Sequence, residues 1–222
     1  QQYILGPTDS LATLLKGYGY ETRAFHPGEQ TSWQRNIAYP RLGFDSFKCG
    51  EDMDVPQTEE HGYVSDDSDF EQIIWEFEHK DESTPLFLFN VTIQNHGSYT
   101  VEDYPAEVQV ADEPGVYPKA EQYLTLANKT DEAFKKLIDY FSAQTEPTIL
   151  VMFGDHQPSV EQEFLDKAYG VTQDEMTMAQ YMDKFKVPFI IWANYPLTGD
   201  STKITSLNFL AQYVLRNAGI ET

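Results

Sequence analysis

The sequence predicts an α/β fold, with a mostly parallel central sheet and helices flanking it on both faces. Two observations lead there. Short apolar runs at 86–93, 148–153 and 187–192 lack the polar alternation of a half-exposed strand, and strands buried on both faces read this way. Between them lie stretches with helical periodicity, the longest at 119–142, and that alternation is the mark of the α/β class. A third observation fits the same class. His26, His96 and the pair Asp155-His156 all fall just past the ends of expected strands, where open α/β sheets gather functional groups.

Taken in order, Ser10-Leu11-Ala12-Thr13-Leu14-Leu15-Lys16 reads as a short helix that Gly17 or Gly19 ends. Residues 20–26 follow as a strand, and 43–64, acidic and without periodicity, read as surface loop. Asp66 and Ser68 are N-cap candidates for a helix over 70–79, with Phe70, Ile73, Ile74 and Phe77 at helical spacing. The strand at 86–93 is bounded by Pro85 and the turn Gln94-Asn95-His96-Gly97. After the long helix, the strand at 148–153 ends at Gly154-Asp155-His156, and Pro188 stands near the start of the next. A last helix over 206–216 stops at Asn217-Ala218-Gly219. No repeat, low-complexity stretch or domain boundary interrupts the series.

At 222 residues, 41% hydrophobic and 14% aromatic, the chain has enough material for one sizeable core. Its net charge of -21 repels nucleic-acid phosphates and excludes a nucleic-acid binder. An anionic substrate needs local cations or a metal against that field. The four arginines, Arg23, Arg35, Arg41 and Arg216, are therefore worth locating. Cys49 is the single cysteine, so no intramolecular disulfide forms. No signal peptide or membrane-length apolar run is present, and the opening Gln1-Gln2-Tyr3 without Met reads as an excised fragment.

Three places carry candidate chemistry. Asp155 and His156, on a turn leaving a buried strand, offer oxygen and nitrogen to one ion, a set that suits Mn, Zn or Fe; a capping Asp and a solvated His are the alternative. Arg35 offers a planar fork for phosphate or sulfate beside Trp33, a flat face for glycerol or sugar; a packed Trp and a salt-bridged Arg are the alternative. His96 is placed to bind a phosphoryl oxygen or move a proton, or to be a satisfied turn residue. His61 and His79 read as surface residues. Cys49 sits among acidic neighbours that argue against a nucleophile.

One series runs in order along nearly the whole chain. It begins with Ser10-Leu11, Gly17-Tyr18-Gly19-Tyr20, His26, Trp33-x-Arg35 and Tyr39-Pro40-x-Leu42-Gly43-Phe44-Asp45-x-Phe47. It continues with Gly62-x-x-Ser65-Asp66, Asn95-His96-Gly97, Phe153-Gly154-Asp155-His156, Ser206-Leu207-Asn208-Phe209-Leu210 and Ala218-Gly219-Ile220. The series resembles the lipoteichoic acid synthase group of the sulfatase family, in the alkaline phosphatase superfamily.

The resemblance implies that residues 1–222 are the C-terminal part of a single sulfatase-like catalytic domain whose N-terminal strands lie upstream. It implies that Asp155 and His156 ligate the metal, usually Mn, with Mg or Zn as alternatives. It also implies that His26, Trp33, Arg35 and His96 surround a phosphoglycerol head group. Such proteins are membrane-anchored, with the catalytic domain on the extracellular face. A threonine nucleophile takes phosphoglycerol from phosphatidylglycerol and passes it to a glycolipid or growing polymer. That threonine and an acidic ligand are expected upstream of Gln1, since Thr8 and Thr13 do not fit the motif. An incomplete metal site, an inactive isolated chain and a homodimer through an exposed sheet edge are expected in consequence. A sulfatase or phosphonate hydrolase, and a non-catalytic module for anionic glycerol polymers, are the competing readings.

Overall fold

The computed structural model describes residues 4–198 and 204–220. The chain divides into two compact units, one of residues 1–96, 101–108 and 124–137, the other of 97–100, 109–123 and 138–222.

The first unit is built on a three-stranded parallel sheet. β1 (Glu21–His26) lies in the middle, between β2 (Ser46–Cys49) and β5 (Leu86–Asn90). Its register sets Ala24 beside Phe47 and Phe89, and since side chains alternate, Arg23, Lys48 and Asn90 point to the other face. α1 (Leu11–Gly17) is started by Ser10, whose hydroxyl accepts from the Ala12 and Thr13 N–H groups while Thr13 accepts from the Ser10 N–H. α2 (Arg35–Arg41) lays Tyr39 on Phe47 and Phe89. α3 (Asp66–Glu78) covers the opposite face: Glu76 meets Arg23 and Lys48, and Asp69 accepts from the Asn90 amide. Helices thus flank the parallel sheet on both faces, as the sequence predicts. The middle of α4 (Pro118–Ser142) adds Leu126, Ala133, Phe134 and Leu137 to the core, with Phe134 edge-on to Phe70.

Residues 43–64 are not the irregular loop expected from sequence. They hold β2 and a small hairpin of β3 (Glu59–Glu60) and β4 (Tyr63–Val64). Strands of four and two residues are too short for a periodic signal, and β2 is held by its parallel pairing to β1. Cys49 is accordingly the last residue of a strand, buried, with its thiol raised by burial and by Asp52. The cap of α3 also differs: Ser65, not Asp66 or Ser68, accepts from the Ser68 N–H. The Ser68 hydroxyl is engaged elsewhere, accepting from the Thr58 N–H at 2.8 Å.

The second unit pairs β6 (Ile149–Phe153) with β7 (Phe189–Ala193), antiparallel, with Val151 opposite Ile191. Apolar runs announce buried strands but not their direction, so this pairing was not legible. Asn194 fastens the pair to the end of α4 by donating to the Phe141, Gln144 and Glu146 carbonyls. The start of α4 is held by Glu161, whose carboxylate accepts from the Lys119 and Ala120 N–H groups at 2.8 and 3.0 Å. α5 (Gln162–Tyr169) and α6 (Met178–Asp183) follow, then a 3-10 turn over Leu207–Phe209 and α7 (Leu210–Asn217) where sequence predicts one continuous helix. Among the described residues, no helix is long and apolar enough to cross a membrane.

Candidate functional site

In the first unit the carboxyl end of the parallel sheet gathers three of the expected residues. His26 ends β1 and is only 2% exposed. Its Nδ1 lies 2.6 Å from the Val91 carbonyl, just past β5. Burial pulls the imidazole down to about 4, the Val91 bond opposes this, and the charges of Arg35 and His96 lower it further. His26 is therefore neutral at pH 7. With Nδ1–H donating to the carbonyl, Nε2 keeps its lone pair. That atom sits under Gly28, where a Cβ would come within 2.7 Å of it. The next turn is closer still: a Cβ on Gly50 would lie 2.2 Å from the Pro27 carbonyl oxygen.

Arg35 opens α2 directly after Trp33 and Gln34, both in the left-handed region at φ 57 and 54. Two consecutive non-glycine residues there cost about 1–2 kcal/mol each. Such strain tends to accumulate at functional sites. Trp33 is 74% exposed. Arg35 itself is half-buried, and burial lowers its pKa while the Tyr39 phenol raises it. Its Nη1 donates to the Ser32 carbonyl. Arg23, Lys16, Lys48, Lys129, Lys136 and Lys167 each meet a carboxylate; no carboxylate is among the groups that shift Arg35. In a chain of net charge -21, that is an anion-receptive fork.

His96 is set by the loop after β5. The buried Gln94 side chain accepts from the Asp66 N–H and donates to the Leu126 carbonyl and Thr130, and Asn95 donates to Thr130 at 2.8 Å. The Tyr63 hydroxyl reaches His96 Nδ1 at 3.3 Å, and the two rings meet edge to face. His61, read from sequence as a surface residue, is half-buried instead: it bonds the Gln94 carbonyl and packs on Tyr63 and Tyr104. His79 stacks on Trp75 at the end of α3. Beneath the loop, Asp66 is raised to about 6 by burial, and Asp69 is raised well above the usual carboxylate range by burial and by Asp66.

In the second unit Asp155 and His156 stand together on the turn leaving β6, with side chains 84% and 78% exposed. Asp155 Oδ2 and His156 Nε2 are 3.4 Å apart. Two ligands of one ion with bonds of about 2.1 Å are separated by roughly that distance in a tetrahedral site. His156 Nδ1 lies 2.9 Å from the Gln157 carbonyl, the contact that orients a ligating imidazole and fixes its tautomer. The pair therefore fits two positions of a metal's shell. Among the described residues no three His, Cys, Asp or Glu side chains gather as a metal site. The field of Asp155 also reaches buried Tyr99, which burial, Tyr123 and Asp155 push up to about 12.

Tyr39, Tyr63 and Tyr99 escaped the sequence reading as site residues, because a tyrosine's role depends on which group its hydroxyl meets. For Tyr39 a signal existed: it stands four residues after Arg35 in what proves to be one helix.

The sulfatase family profile matches residues 2–220. A protein assigned to cyclic β-1,2-glucan modification in Rhizobium meliloti (strain 1021) is 32% identical over 232 residues, 100% of this chain and 35% of the relative. The lipoteichoic acid synthase-like protein YvgJ of Bacillus subtilis (strain 168) is 26% identical over 180 residues, 80% of this chain and 28% of the relative. Among solved structures, the Streptococcus pyogenes phosphoglycerol transferase GacH in complex with sn-glycerol-1-phosphate superposes with a TM-score of 0.64. It is 21% identical and covers 82% of this chain and 46% of that one. The chain spans about a third of the length of the curated relatives it matches.

Proposed function

This chain belongs to the sulfatase family, and from that membership we propose that it forms part of the catalytic domain of a metal-dependent phosphoglycerol transferase. The observation that carries the reading is Arg35: a half-buried guanidinium shifted by no carboxylate, whose charge, with that of His96, reaches the neutral His26. Arg35 supplies two parallel N–H donors to a phosphoryl group. Trp33 offers an exposed face to the glycerol carbons. His96, at the mouth of the loop, offers a ring nitrogen to a phosphoryl oxygen. The homology to a lipoteichoic acid synthase-like protein and the glycerol phosphate held by GacH support phosphoglycerol as the group moved.

Asp155 and His156 would hold the ion, with Mn the leading candidate. Held there, such an ion would supply Lewis-acid polarisation of a phosphoryl oxygen and would favour ionisation of an attacking hydroxyl. The nucleophile and remaining ligands belong, on this reading, to residues other than those described. The parent protein acts at the outer face of the membrane, where phosphatidylglycerol is the donor and diacylglycerol the product left behind. The test uses the full-length protein with phosphatidylglycerol vesicles and Mn²⁺. Diacylglycerol release that Arg35→Ala and Asp155→Ala each suppress supports the proposal; release untouched by either variant overturns it.

A further inference from the structure

We infer that Thr130 is the positioning residue for His96, a role that rests on the functional reading above. Thr130 is buried in the middle of α4, 36 and 35 residues beyond Gln94 and Asn95. Both of those side chains converge on its one hydroxyl. The Gln94 amide donates to it at 3.1 Å and the Asn95 amide at 2.8 Å. The hydroxyl donates in turn to Asp66 Oδ2 at 2.6 Å, with the Leu126 carbonyl, one helical turn back, as a longer contact at 3.1 Å. A hydroxyl has one donor and two acceptor positions, so all three are used.

The same bonds fix which way the amide points. Gln94 Oε1 accepts from the Asp66 N–H at 2.9 Å, so Nε2 is the atom that faces Thr130. Asp66, Gln94 and Thr130 thus close a ring of hydrogen bonds, and Asn95 is tied to it. The next residue is His96, whose N–H donates to the Ile93 carbonyl at 2.9 Å and closes the turn over the two anchored residues. Its exposed imidazole meets the Tyr63 hydroxyl at Nδ1, 3.3 Å away. A loop that only the ligand orders binds more weakly by the entropy it loses. This loop is ordered on folding, and the hydroxyl of Thr130 is the point where its two anchors meet.

The test is a double-mutant cycle on the chain, reading the Kd for sn-glycerol-1-phosphate and the hydrogen exchange of the His96 N–H. Thr130→Val removes the hydroxyl; Thr130→Ser keeps it. The expected result for Thr130→Val is a Kd about three- to tenfold weaker and exchange at least tenfold faster, with Thr130→Ser within about twofold of wild type in both. In a His96→Ala background, Thr130→Val should change the Kd by less than about twofold. The same fold-loss in both backgrounds would make Thr130 a structural residue only and overturn the inference. Kd and exchange both unchanged in Thr130→Val, while His96→Ala weakens binding, would overturn it too and spare the functional reading. If His96→Ala leaves binding intact, the functional reading of His96 fails, and exchange alone decides: faster in Thr130→Val supports the positioning of His96, unchanged refutes it. Should Thr130→Val not fold, Asn95→Ala removes one anchor instead, and faster exchange at His96 supports the inference where unchanged exchange refutes it.

Discussion

The two candidate groups of site residues, one in each unit, are built in opposite ways. Around His26, Arg35 and His96, every group is placed by packing: a buried strand end, a helix start behind a left-handed pair, and a loop pinned by Gln94 and Asn95. Around Asp155 and His156, the side chains are largely exposed, and they bond each other and the neighbouring Gln157. The first arrangement can select an anion unaided, because orientation and desolvation are already in place. The second can contribute donors to an ion but needs other groups to complete the shell.

Backbone substitutions break this contrast most sharply. Gly50→Ala drives a Cβ into the Pro27 carbonyl, which cannot yield as a side-chain tip would; the expected loss is about 3 kcal/mol, read as a lowered thermal midpoint. Gly154→Ala, before the exposed pair, meets Val187 Cβ at 3.3 Å and is expected to cost under about 1 kcal/mol. Equal losses would erase the distinction.

Side-chain removal sharpens it. Without metal, Arg35→Ala should weaken glycerol phosphate binding roughly 10- to 150-fold, the worth of a charge-assisted hydrogen bond or two. Asp155→Ala should leave that metal-free affinity unchanged within about twofold, measured by the same titration.

The third expectation concerns pH. Asp66, raised to about 6, and Asp69, raised well above the usual carboxylate range, hold protons that the unfolded chain releases near 4, so they stabilise at low pH and lose that contribution as pH rises. His26, at about 4, works the other way, its contribution present above about 6.5 and lost as pH falls. Two carboxyls outweigh one imidazole. Stability should fall from pH 4 to 6, and Asp69→Asn should flatten the fall in denaturant titrations. A rise over that window in the wild-type chain contradicts the placement of both carboxyls.

The smallest effect belongs to the exposed pair. Mn²⁺ should bind these 222 residues weakly, through two protein donors. Tight stoichiometric binding, abolished in Asp155→Ala, would show that the shell is completed within the chain.

Much of this was legible from sequence because strand-end placement is local. A buried run followed by Gly-Asp-His or Asn-His-Gly marks where functional groups fall, and β1, β5 and β6 lie within a few residues of expectation. What was not legible depends on long-range pairing. β2 exists through its partner β1; the antiparallel sense of β6 and β7 appears in no periodic pattern; α2 carries Pro40 inside it, which argues against a helix on local grounds. Tyr39 shares that fate, since its meaning follows from α2, and so does the neutral state of His26, which follows from its burial beside Val91.

The central claim is that the His26, Arg35 and His96 cluster is an anion subsite complete in itself. Calorimetric titration of sn-glycerol-1-phosphate into the metal-free chain at pH 7 tests it most directly, with glycerol as the uncharged control. The account predicts saturable one-site binding of the phosphate, none of glycerol, and at least tenfold weakening in Arg35→Ala. Equal heats for the wild-type and Arg35→Ala chains would contradict it.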